Sequence, residues 1–127
     1  MKTIGFVKER DNKIIKREYL DNQANLNFSI TNKIEKEKVV DYLINSEKVF
    51  SITLSLFDDE KYIGPYTIYS DGEWLWPSHF PYFLEKNDFI NNDFLNHVRN
   101  KNYETFFLTQ QRRQEVVSFL EKTLLNV

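Results

Sequence analysis

The chain has 127 residues, 17 basic against 19 acidic for a formal charge of −2, and is 41% apolar and 16% aromatic. That composition supplies one core and no more, so two domains are not expected and order should run almost end to end. Near-neutral charge leaves no basic field to hold a phosphate backbone, and the absence of cysteine excludes disulfides, thiol nucleophiles and thiolate metal sites while suiting a reducing cytosol.

Met1 to Asp11 carries only a short apolar stretch before charges resume, too little for a signal-peptide core. No apolar run approaches the roughly 20 residues that cross a bilayer. The expectation is a soluble protein that stays in the cytoplasm, with neither membrane nor nucleic acid as partner. Thr3–Val7 and Lys13–Tyr19 are β-favouring runs separated by Asp11-Asn12, and predict a hairpin. Leu26–Ile30 alternates with the period of a half-buried strand. Asn32, with Glu35 three residues on, marks a helix start, and Ile34, Val39, Val40, Leu43 and Ile44 continue it to about Ser46.

Val49–Leu56 reads as a strand whose apolar face carries Phe50, Ile52, Leu54 and Leu56, ended by Asp58-Asp59-Glu60-Lys61. Tyr62–Tyr69 is the next strand, and Asp71-Gly72 is a tight-turn signal leading into Trp74-Leu75-Trp76. Past Pro77, Ser78 caps a short helix to about Lys86 with Phe80, Phe83 and Leu84 on one side, and Asn92 or Asp93 caps another to about Lys101. Thr109 caps the last, with Val116, Val117, Leu120 and Leu124 at helical spacing to the C-terminus. Strands first and helices later predict an α+β fold: a single domain over residues 1–127, mainly antiparallel, with one inserted helix and C-terminal helices packed on the sheet.

Chemistry is sparse. Three isolated glycines assemble no phosphate loop or dinucleotide fingerprint, so no cofactor is expected. His79 and His97 lack zinc-ligand spacing, so no metal site is expected either, and both read as partly exposed histidines near helix starts and faces. Ser70-Asp71-Gly72 is turn chemistry rather than a nucleophile elbow.

From Tyr66 to Lys86, three tyrosines, two tryptophans and two phenylalanines crowd one turn. In a strand Trp74 and Trp76 share a face and Leu75 takes the other. Both tryptophans are either core residues with their ring nitrogens on backbone acceptors, or aromatic anchors for a partner. For Trp76 the core reading is preferred, because Pro77 fixes the chain's exit and brings Phe80 and Phe83 back over the strand.

The run Asp71–Phe89 (DGEWLWPSHFPYFLEKNDF) and its continuation Asn91–Tyr103 (NNDFLNHVRNKNY) combine an Asp-Gly turn, Trp-x-Trp-Pro at Trp74, Trp76 and Pro77, a short aromatic helix, and a second helix ending near a histidine. This pattern, over about residues 64–101, resembles immunity proteins of polymorphic-toxin and contact-dependent growth inhibition systems. The chain departs from it with Phe80 and Pro81 where such proteins commonly have small residues. The resemblance implies a cytosolic protein, not an enzyme, that blocks a cognate toxin, often a nuclease, by occluding its active site or substrate path. A toxin that holds phosphate is basic there, so Asp58, Asp59, Glu60, Asp71 and Glu73, at what read as neighbouring loop ends, form the expected partner-binding surface. Two alternatives stay open: a small hydrolase using Asp71 and Glu73 with His79 as proton carrier, and an adaptor that binds a peptide along an N-terminal sheet edge.

Overall fold

The computed structural model describes residues 1–20 and 26–126. The N-terminal runs do not pair as a hairpin. Lys2–Thr3 (β1) is a strand, but it lies parallel to Trp74-Leu75. At Gly5 (φ +85°) the chain turns so close to α-helical neighbours that a Cβ there would meet Phe80 Cγ at 2.7 Å. Lys8–Asp11 (α1) follows, with the Asp11 carboxylate accepting from the Val7 N–H at 2.6 Å, and then a 3₁₀ turn at Arg17–Tyr19. Phe6 and Ile15 are buried against the sheet, Ile15 through one bridge to Leu125. Their β-favouring character is spent on side-chain burial rather than on a ladder.

Phe28–Ser29 (β2) keeps two residues of the strand expected over Leu26–Ile30, pairing with Phe89–Ile90. Lys33–Asn45 (α2) forms where the spacing predicts, with Asn32 Oδ1 accepting from the Glu35 N–H at 3.0 Å. Its buried stripe is Val39, Tyr42 and Leu43, whereas Ile34 and Ile44 face outward.

Glu47–Asp58 (β3), Lys61–Ser70 (β4) and Trp74–Pro77 (β5) complete a four-stranded sheet in the order β1-β5-β4-β3, antiparallel apart from the β1–β5 pair. The apolar alternation of β3 is not kept throughout. Its register on β4 shifts between Ser51 and Ser55, which leaves Leu54 exposed and Leu56 buried.

Three helices and a short strand follow: His79–Asn87 (α3), Phe89–Ile90 (β6), Asn92–Asn100 (α4) and Gln110–Phe119 (α5), the last continuing as a π-type turn over Leu120–Leu124. The predicted helix to the C-terminus therefore ends at Leu124, and Val127 lies outside the described residues. Ser78 does not cap α3. Its hydroxyl donates to Pro65 O and accepts from the Thr67 N–H, tying the helix start to β4. The cap of α4 is Asn91, one residue before the expected pair, while Thr109 caps α5 as predicted.

Strand alternation divides the core. Trp74 and Trp76 face α2, α3 and α4, with Phe80, Leu84, Phe94 and Val98 around them. Leu75, Ile68, Tyr66 and Leu56 form the second cluster with Val116 and Leu120. Trp76 is fully buried and its indole N–H donates to Leu43 O at 3.2 Å; Trp74 is 7% exposed, edge-on to Phe94. Both are core residues, and helices lie on both faces of the sheet in one α+β unit. Among the described residues no helix is long and apolar enough to cross a membrane.

Candidate functional site

The turn from β4 to β5 gathers the titratable groups. Ser70 Oγ donates to Trp74 O and accepts from the Gly72 N–H. Asp71 Oδ1 accepts from the backbone N–H groups of Glu73 and Trp74, at 2.9 and 2.8 Å. Its Oδ2 accepts from Tyr42 Oη at 2.5 Å and from His97 Nε2 at 2.6 Å, which places a proton on that ring nitrogen because an ionised carboxylate only accepts. Burial, reinforced by the Asp71 charge, holds the Tyr42 phenol protonated far above its ordinary range. With about four acceptor positions on a carboxylate, Asp71 has none left for a substrate. Glu73, half exposed, lies 3.7 Å from His97 and 3.2 Å from Lys101.

The expected hydrolytic set does not form. His79 is separated from Asp71 and Glu73 by the length of β5, about 13 Å. It is buried, with Nε2 at 3.0 Å from both oxygens of Asp11, and Asp11 also takes the Tyr66 hydroxyl at 2.6 Å. His97 stands beside Asp71 instead. His79 is not the partly exposed residue the sequence suggested, because the Asp11 carboxylate draws it into the interior, whereas His97, its side chain 15% exposed beside Asp71, is partly exposed as expected.

The acidic positions do not form one surface either. Asp58, Asp59 and Glu60 lie at one end of β4, and Asp71 and Glu73 at the other, roughly 30 Å away along a ten-residue strand. Asp58 accepts from Tyr82 Oη and Lys86 Nζ, fixing the β3–β4 tip to α3, and those two donors hold its carboxyl below the ordinary range. Asp59 and Glu60 are exposed in the turn, whereas the Asp71 side chain is 7% exposed. The predicted N-terminal peptide-binding edge is reduced to the two residues of β1, and the long outer edge of β3 is interrupted by its register shifts, a device that discourages strand addition.

Beside the Asp71 turn runs the connection from α4 to α5, which carries the feature that sequence reasoning missed. Phe106 is 66% and Phe107 is 95% exposed. Such exposure is unusual for two adjacent phenylalanines, and the segment holding them is tied at both ends. On one side the Tyr103 hydroxyl donates to Glu35, which also receives the Arg99 guanidinium at 2.9 and 2.6 Å. On the other, the Leu108 N–H donates to Glu47 Oε1 at 2.9 Å, and Arg113 forks onto the same carboxylate. Leu108 sits over Gly72, and Thr109 begins α5. Tyr42, Asp71, Lys101, Arg112 and the two phenylalanines enclose a cleft of about 400 Å³. The sequence signal was an apolar pair in a polar stretch just before a helix cap, with no periodic partner to bury it.

Among the described residues no group of three or more His, Cys, Asp or Glu side chains is placed to hold a metal ion. Comparison with protein-family models, curated proteins and solved structures gives no match.

Proposed function

We propose that the chain is an immunity-type binding protein that neutralises a cognate bacterial toxin in the cytoplasm by covering its active site or the path of its substrate. The observation that carries this reading is the pair Phe106–Phe107, held in water by a connection anchored to Glu35 and Glu47. Exposed aromatic groups on a rigid segment supply large contact area at small entropic cost, as binding surfaces require. The groups that a hydrolase would use are engaged within the fold: Asp71 by four donors, and His79 by Asp11. The Trp-x-Trp-Pro motif is compatible with the reading as a shared core element, leaving the surface to set the choice of toxin. Of the acidic positions, Glu73 borders this face, while Asp59 and Glu60 would reach only a second contact. No catalytic residue is assigned.

Immunity genes adjoin the gene of the toxin they neutralise, and this supplies the experiment. Cells expressing the toxin-like domain encoded beside this gene should stop growing, and should recover when this chain is co-expressed and co-purifies with it. A harmless neighbour, or a toxic one that the chain neither binds nor neutralises, would remove the proposal.

A further inference from the structure

We infer that the partner receives the Phe107 ring in an apolar pocket bordered by a basic side chain, which meets Glu104. This deepens the protein-binding reading and rests on it. At 95% exposure Phe107 leaves nearly its whole ring to water, and the Leu108 N–H bond to Glu47 and the Tyr103 hydroxyl bond to Glu35 fix the segment that presents it. A phenylalanine so held has two side-chain torsions left to lose on docking.

Charge decides the rest. Each cation bordering the cleft or the adjoining first turn of α5 already faces an internal acid: Lys101 faces Glu73, Arg112 faces Glu115, and Arg113 faces Glu47. The Glu104 carboxylate has no hydrogen-bond or ion-pair partner among the described residues, although it lines the same cleft. The face therefore sets an uncompensated negative charge beside its most exposed apolar group, within a rim of neutral ion pairs. A complementary surface offers apolar depth for the ring and a cation at its edge. A second copy of the chain fits less well, because a two-fold contact centred here would bring Glu104 against its own symmetry mate.

The test is surface plasmon resonance, with the purified toxin-like domain encoded by the adjoining gene as probe. Phe107→Ala should weaken binding about thirtyfold or more, mainly through faster dissociation, with the melting temperature unchanged. Phe107→Leu should recover part of the loss. Glu104→Lys should slow association, a deficit that shrinks as salt is raised, and Glu104→Gln should show a smaller deficit of the same kind. If Phe107→Ala binds as tightly as wild type, the inference is wrong while the functional reading survives, and the contact lies elsewhere, for instance at Asp59 and Glu60. A wild-type chain that neither binds nor protects removes both. Sedimentation showing a wild-type dimer that Phe107→Ala dissolves would assign the ring to a second copy and overturn the inference.

Discussion

Leu108 rests on Gly72, so closely that a Cβ added to the glycine would lie 2.9 Å from Leu108 Cδ2 and 3.3 Å from Arg112 Cγ. Gly72 also has φ +96°, a conformation that L side chains rarely adopt. One residue thus closes the Asp71 turn and seats the aromatic segment. Gly72→Ala should destabilise the fold by about 1–3 kcal/mol, combining backbone strain with overpacking. Urea denaturation reads the difference; an unchanged midpoint would mean that the segment shifts away at no cost.

Trp76 is a core residue by burial and by its indole bond to Leu43 O. Trp76→Ala should cost about 3–5 kcal/mol, a large part of the roughly 5–15 kcal/mol that holds a typical domain together. A sharply lowered melting temperature, or failure to fold, is the expected outcome, whereas a melt like that of wild type would contradict the packing described.

Asp11 carries three donors in the interior: the Val7 N–H, Tyr66 Oη and His79 Nε2. The fully buried carboxylate joins the N-terminal segment, β4 and α3. Asp11→Ala would strand all three donors and should cost about 3–5 kcal/mol. Asp11→Asn keeps the shape and some of the bonds, so it should lose less. Equal losses in chemical denaturation would show that the charge, rather than the bonding, holds the junction.

Acid should loosen the aromatic segment. The Arg99 guanidinium, opposed by burial and helped by Tyr103, brings Glu35 down from 4.5 to about 2, and the Arg113 guanidinium lowers Glu47 in the same sense. A carboxyl depressed in the folded state contributes stability that is fully present above its unfolded value and is lost as pH falls through its folded value. The Glu35 contribution is therefore complete above about pH 4.5 and fades towards pH 2. The stability gap between wild type and Glu35→Gln should close over that window; a gap independent of pH would show that the ion pair contributes nothing.

Much of the fold was legible because local signals and burial agree. Asn32 and Thr109 cap their helices, Asp71-Gly72 turns, and the alternation of Trp74, Leu75 and Trp76 splits the core as the strand period demands. The N-terminal runs misled because Phe6 and Ile15 look the same to a pattern whether a ladder or a neighbouring sheet buries them. The site was less legible still. Asp58 and Asp71 read alike as loop acids, yet β4 holds them apart, and the partners of His79 and His97 lie 68 and 26 residues away in the chain. Exposure of Phe107 is a negative property: among the described residues almost nothing covers it, and no local spacing encodes that.

Amide hydrogen exchange of the chain, free and bound to the toxin-like domain encoded beside it, bears most directly on the claim that this protein works by binding through its aromatic segment. Slowed exchange on binding should centre on Glu104–Thr109 and extend to Asp71–Glu73, with the Asp58–Lys61 tip unaffected. Protection confined to that tip, or to the outer edge of β3, would contradict the account.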